Sequence, residues 1–314
     1  MSALRAAGVT VCAVADVDAG RARAFAADHG VPYAHGDVAG LFGHGLDLVT
    51  VCTPAAAHEA GVRAAARYGV PVLCEKPLAL DVAQARRMIE VAEAAGIRFG
   101  VVFQRRFWPA VDQVRAAVGT PVTGGITARL NRDAAYYRKP GRGRRASEGG
   151  GVLMTQVIHH IDLLCRLMGP AAWVSGRCAT LVPRSGIDVE DTAAAVLGFG
   201  SGAIATLHAG TTFRPGLGVQ LWVSDAAGRT AGINEYPEGT GCTDLWIRPG
   251  PADRPLSEIH EHLEPYHAAQ VADFVAAVRD GRDPAVTGRD ALASLEIVEA
   301  VYASSRTGRP VELR

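Results

Sequence analysis

Between residues 9 and 103, short apolar runs alternate with amphipathic stretches, and this alternation limits the fold more than any other feature of the chain. The run VTVCAVA at 9–15 ends at Asp16 and reads as a strand, followed by a helix over about 20–28. LDLVTVC at 46–52 is a second strand, 57–68 a helix, 70–74 a strand, 82–95 a helix and 98–103 a strand. Strands that are apolar on both faces are covered on both faces, and strands alternating with helices at this spacing give a doubly wound parallel sheet.

After about Gln104 the texture changes. Longer segments with one apolar face follow at Gly124–Leu130, Trp173–Leu181, Ala193–Phe199, Ala203–Ala209, Val219–Val223 and Asp244–Ile247, with Gly200-Ser201-Gly202 as a hairpin turn between two of them. A helix over about 152–168 interrupts them, and helices over about 267–280 and 289–305 close the chain. The expected second part is an α+β domain whose open, mostly antiparallel sheet carries helices on one face. A parallel α/β domain over 1–103 and this domain over 104–314 share 314 residues that are 48% hydrophobic, enough for two cores.

Lys+Arg and Asp+Glu both total 32, so no basic field attracts nucleic acid or an anionic membrane, and the expected partner is a small molecule. No apolar run approaches the roughly 20 residues of a membrane span. Arg5 and the apolar residues after it only faintly imitate a signal peptide, because Asp16 and Asp18 close the run. Cys12, Cys52, Cys74, Cys165, Cys178 and Cys242 show no metal-binding spacing, and no metal is expected; a reducing, cytoplasmic setting is. Arginine replaces lysine almost throughout, leaving only Lys76 and Lys139. Lys76 is therefore informative, since lysine can be tuned to give up a proton near neutrality and arginine cannot.

The residues with chemistry gather at the carboxyl ends of the parallel strands, where ligands of open α/β sheets bind. Asp16 is placed to hold the ribose hydroxyls of an adenosine, and its charge favours NAD over NADP; capping of the next helix, by it or by Asp18, is the structural alternative. Thr53-Pro54 and His58 follow the second strand, though Thr-Pro is ordinary turn chemistry and His58 equally a cap or packing residue. Glu75-Lys76-Pro77 ends the third strand and directs Lys76 to the crevice. On the interrupting helix Glu148-Gly149-Gly150-Gly151 leads into Thr155, His159 and Asp162, whose spacing puts them on one helical face; a core histidine is the alternative for His159, with His160 as the exposed neighbour.

The run VTVCAVAD…LDLVTVCTPAAAH…GVPVLCEKPLA resembles the glucose-fructose oxidoreductase and inositol dehydrogenase (Gfo/Idh/MocA) family, of which Glu-Lys-Pro is the signature. The likeness continues through Gln104-Arg105-Arg106-Phe107, Tyr136-Tyr137, GGGVLMTQVIHHIDLL and HAAQVADFVAAVRDGRDP. It implies a Rossmann-like first domain, NAD as cofactor, and a dimer or tetramer assembled through the sheet face. It further implies that Lys76 and His159 flank the reacting carbinol, that Gln104 orients the Glu-Lys-Pro turn, and that Tyr136 and Tyr137 border the substrate. Asp16, Thr53, Pro54, His58, Glu75, Lys76 and Gln104 are the expected cofactor residues; Lys76, Tyr136, Tyr137, Thr155 and His159 the substrate residues. Thr155 stands where the family often has a carboxylate; a threonine can hydrogen-bond a sugar but cannot take its proton at neutral pH.

No G-x-G-x-x-G precedes the strand at Val9. That loop binds pyrophosphate in a dinucleotide fold, so the resemblance also implies a chain shortened at its N terminus, without the first strand. Loss of a central strand is expected to leave backbone donors and acceptors unpaired unless its neighbours close on each other. The expected activity is hydride transfer between NAD and a ring carbinol of a sugar, nucleotide sugar or cyclitol. A redox-neutral, NAD-using epimerase or lyase and a cofactor-free sugar binder, with Trp222 and Trp246 on its face, are the alternatives.

Overall fold

A computed structural model describes residues 1–182, 186–235, 243–248 and 263–313. In chain order the helices are α1 (Ser2–Ala6), α2 (Ala19–His29), α3 (His58–Arg67), α4 (Val82–Ala94), α5 (Pro109–Ala117), α6 (Ala134–Tyr137), α7 (Arg145–Glu148), α8 (Ile158–Met168), α9 (Leu263–Asp280) and α10 (Gly288–Thr307). The strands are β1 (Ala13–Ala15), β2 (Tyr33–His35), β3 (Val49–Val51), β4 (Val72–Cys74), β5 (Phe99–Val101), β6 (Pro121–Arg129), β7 (Ala171–Ala179), β8 (Thr192–Phe199), β9 (Ile204–Gly210), β10 (Gly218–Asp225), β11 (Thr230–Glu235), β12 (Thr243–Arg248) and β13 (Val311–Glu312).

The chain divides into two compact units. The first takes residues 1–79 and 83–104 and also 263–289, so α9, which the sequence reading assigned to the second domain, belongs to the first. Its strands are parallel, as their apolar pattern demands, but they form two ladders: β1 pairs with β2, and β3, β4 and β5 follow one another. No pairing joins the ladders among the described residues. The strands either side of the expected gap have therefore not closed on each other by hydrogen bonding. Burial follows the same division, with β1 half-buried throughout and β4 and β5 wholly buried. Leu73, Val271 and Phe274 form a core to which Leu4, Val9, Leu48 and Val102 add partly buried surface, so α1 and α9 cover one side of this unit. Burying a side chain such as Phe274 contributes about 1.5–3 kcal/mol, which explains why α9 returns to this unit.

The second unit takes residues 80–82, 105–262 and 290–314. Its sheet runs β12-β11-β10-β6-β9-β8-β7-β13, with only the β6–β9 pair parallel among the described pairings, so the open, mostly antiparallel sheet is as expected. Gly200-Ser201-Gly202 does make the turn between β8 and β9. Strands β11 and β13 were not anticipated from sequence. Helix α8 packs against β6 and β10, and nine of its eleven residues are buried. Such a helix is core on every side, so each polar group it carries needs a partner.

Candidate functional site

In the first unit the ends of β1, β3 and β4 carry the expected residues. Asp18, rather than Asp16, caps α2: its Oδ1 accepts from Gly20 N at 2.8 Å and Arg21 N at 3.1 Å, and those two N–H groups hold its carboxyl below the usual range. Asp16 stands at the strand end instead, its Oδ1 accepting from Asp18 N at 2.8 Å and the Arg21 guanidinium at 3.0 Å.

His58 is 1% exposed and lies between two turns, with Nε2 2.8 Å from the Thr53 carbonyl oxygen and Nδ1 3.1 Å from that of Leu78. Carbonyl oxygens only accept, so the ring nitrogen that carries the proton donates to the carbonyl it faces. Its ring thus lies between the Thr53-Pro54 turn and the segment that follows Glu75-Lys76-Pro77. Within that segment Glu75 Oε2 accepts from Lys76 N at 3.1 Å, and Lys76 is half-buried. Gln104 is buried, and its amide oxygen has no hydrogen-bond partner among the described residues.

In the second unit the expected single α-helix over 152–168 begins instead as a π-turn, Leu153–Val157, and becomes α only at Ile158. A π-turn adds about one residue to the turn and is common at functional sites. It alters the face-sharing inferred from α spacing. Thr155 donates its hydroxyl to the Gly151 carbonyl at 2.8 Å and accepts from Gln156 Nε2 at 3.1 Å. Asp162 is 1% exposed and is held by Arg106, Nε to Oδ2 at 2.7 Å and a second nitrogen to Oδ1 at 2.5 Å. His159 and His160 are both 3% exposed, so His160 is not the solvent-facing one. It meets Glu235 Oε2 at 2.9 Å, and Arg105 binds the same carboxylate. Burial pushes the Glu235 carboxyl up, but Arg105 and His160 outweigh it and hold it at about 2.

Tyr136 and Tyr137 meet edge to face, 5.0 Å between ring centres. The Tyr136 hydroxyl accepts from Gln156 Nε2 at 3.0 Å, while the guanidiniums of Arg132 and Arg142 lie over its ring at 5.2 and 5.1 Å. Tyr137 contacts the Thr211 hydroxyl at 3.3 Å. Gln156 thus ties Tyr136 to Thr155, a link sequence reasoning missed, as it missed the pairing of Asp162 with Arg106 and of His160 with Glu235. The signal was present in one respect: a helix as apolar as α8 cannot carry two histidines and an aspartate without charged partners elsewhere. Trp222 is half-buried, and the side chain of Trp246 lies outside the described residues. Cys12, Cys52, Cys74, Cys165 and Cys178 are free, and Cys242 also lies outside the described residues.

Comparison with known proteins decides the family. The model described as "Oxidoreductase family, NAD-binding Rossmann fold" matches residues 2–103, "GFO/IDH/MocA C-terminal domain" residues 114–229, and "Oxidoreductase family, C-terminal alpha/beta domain" residues 231–313. A D-apiose dehydrogenase from Paraburkholderia graminis is 31% identical over 98% of this chain and 84% of its own length. The chain belongs to the Gfo/Idh/MocA oxidoreductase family.

A myo-inositol 2-dehydrogenase from Thermotoga maritima is 28% identical over 96% of this chain and 90% of its own. Among solved structures of the family, the WlbA dehydrogenase from Bordetella pertussis in complex with NADH and UDP-GlcNAcA has a TM-score of 0.85 at 25% identity, covering 99% of this chain and 94% of that one. The match from residue 2, and the breadth of these overlaps, give no support to the expected N-terminal shortening.

The family's NAD fits the first unit at two of its three parts. Asp16 suits the adenosine ribose, and the ends of β3 and β4, with the buried amide oxygen of Gln104, offer polar groups for the nicotinamide half. For the pyrophosphate, residues 1–103 supply no G-x-G-x-x-G, and α1 is five residues long without a side-chain cap.

Proposed function

We propose that this Gfo/Idh/MocA oxidoreductase transfers a hydride between a ring carbinol of a sugar, nucleotide sugar or cyclitol and NAD, with Lys76 and His159 handling the hydroxyl proton. NAD, when bound, supplies the hydride acceptor. His159 serves as general base and Lys76 polarises the carbinol oxygen, roles that need groups able to exchange a proton near neutrality. The observation that carries this reading is the Glu75-Lys76-Pro77 turn. It places one of only two lysines in the chain at the carboxyl end of a buried parallel strand, and the His58 ring lies 3.1 Å from the carbonyl oxygen of Leu78 just beyond it. The dehydrogenase names of the relatives, which act on apiose and inositol by those names, support the substrate class.

Tyr136, Tyr137 and Thr155 border the substrate in this reading, Tyr136 offering a ring face held by two arginines. Thr155 positions rather than relays, its proton being given to the Gly151 carbonyl. Asp16, Thr53, Pro54, His58, Glu75, Lys76 and Gln104 hold the cofactor, and Asp16 selects NAD over NADP. The protein assembles as a homo-oligomer through the sheet face on which Val196 and Ile204 are exposed, and works in the cytoplasm; no helix among the described residues is long and apolar enough to cross a membrane. The test is absorbance-detected NADH formation with a panel of pentoses, hexoses, inositols and nucleotide sugars, beside thermal shifts with NAD, NADH and NADP. Accumulating NADH with one of them supports the reading over a redox-neutral reaction; no NADH with any, and no stabilisation by NAD, would overturn it.

A further inference from the structure

The triple glycine before the π-turn leaves room for the Glu190 backbone at Gly151 and the Tyr302 side chain at Gly150. A Cβ on Gly151 would stand 1.8 Å from the Glu190 carbonyl oxygen, and one on Gly150 1.9 Å from the Tyr302 hydroxyl. Glu190 is 5% exposed and takes all three N–H groups at this helix start: Gly151 N to Oε2 at 2.8 Å, Val152 N to its carbonyl at 3.1 Å and Leu153 N to Oε1 at 3.1 Å. These are the donors a helix start leaves without an intrahelical partner, and a carboxylate there also meets the positive end of the helix dipole. Tyr302, on α10 and 7% exposed, completes the set by donating its hydroxyl to Glu190 Oε1 at 2.8 Å.

Two residues distant in sequence therefore fix where the π-turn begins, and His159 is the second residue after that turn ends. We infer that Glu190, oriented by Tyr302, is a positioning residue that sets the placement of the His159 imidazole through the Gly151–Leu153 backbone; this rests on the role of His159 proposed above. Burial pushes the Glu190 carboxyl up, against the pull of the Gly151 and Leu153 N–H groups and the Tyr302 hydroxyl. Replacing one carboxylate oxygen by an NH2 group sets a donor against a donor, and the helix start must shift to relieve it.

The variants are Glu190→Gln and the milder Tyr302→Phe in the full chain, each also combined with His159→Asn. The readouts are kcat, KM, the pH profile of kcat/KM with NAD and the best wild-type substrate, and the NMR titration of the His159 ring, assigned by its loss in His159→Asn. Glu190→Gln is expected to lower kcat by about 100-fold, a loss that a 1 Å misplacement can cause. KM should stay within about twofold, and in the His159→Asn background the residual rate should change by less than about twofold. The His159 titration should move in Glu190→Gln and, less far, in Tyr302→Phe. Variants that lose thermal stability yet keep the wild-type pH profile and His159 titration would overturn the inference, as would an equal rate loss with and without His159. Should Glu190→Gln not fold, Tyr302→Phe decides alone by the same readouts. Should the wild type turn over no substrate, the proposed activity fails, and the His159 titration in cofactor-free protein still decides this inference.

Discussion

Replacing Arg106 with leucine is expected to damage stability more than any comparable change at the protein surface. Arg106 has a side chain 10% exposed and holds Asp162, 2% exposed, through two hydrogen bonds of 2.7 and 2.5 Å, and reaches Asp290 at 3.1 Å. Leucine leaves the Asp162 carboxylate charged in the core, and removing one partner of a buried pair costs about 3–5 kcal/mol. The exposed pair Arg289–Glu93, with side chains 70% and 50% exposed, is the control, and its loss should cost at most about 1 kcal/mol. Burial already pushes the Asp162 carboxyl up against the pull of Arg106, and without Arg106 it rises further. A carboxyl whose folded pKa is raised penalises the fold above that pKa, and the penalty disappears as pH falls through it. The Arg106→Leu defect should therefore shrink on acidification, and Arg106→Leu/Asp162→Leu should recover most of it at neutral pH. Urea unfolding of the three variants at several pH values measures this. A loss below about 1 kcal/mol, or one that Asp162→Leu does not relieve, would refute the view that this pair is a paired charge in the core.

Other expectations follow from single contacts. Gly151→Ala pushes a methyl into the Glu190 carbonyl and should destabilise by about 3 kcal/mol or more, read by urea unfolding. Glu235, held at about 2 against roughly 4.3 in an unfolded chain, contributes stability that is full above the higher value and is lost as pH falls toward the lower. Glu235→Gln should accordingly be less stable at neutral pH and should flatten the acid limb of the stability–pH curve. On the cofactor-selecting role proposed for Asp16, Asp16→Ser should raise the NADP-to-NAD ratio of apparent affinities, measured by paired thermal-shift titrations.

Much of the architecture was legible because apolar periodicity alone carries it. The continuous runs at β3, β4 and β5 and the alternating faces of β8 and β9 gave their elements, their burial and their turn directly. Strand β11 was not legible, as TAGINE has a glycine in its middle and little β-branched pattern, and only pairing with β10 and β12 makes it a strand. The return of α9 to the first unit was equally hidden, since a contact between residues some two hundred positions apart leaves no local trace. At the site, Glu-Lys-Pro and the histidine helix could be read from their signatures. The π-turn could not: it depends on Glu190 and Tyr302, and nothing near Gly151 in sequence announces either. The same holds for the place of His58 between the Thr53 and Leu78 carbonyls.

The central claim is that Lys76 and His159 handle the proton of a carbinol oxidised by NAD. The most direct measurement is single-turnover NADH formation by the wild type, Lys76→Ala and His159→Ala at saturating NAD and substrate across pH. The account predicts a loss of at least about 100-fold in each variant, with the pH-dependent limb of the wild type absent in His159→Ala. Unchanged rates and an unchanged pH profile in both variants would contradict it.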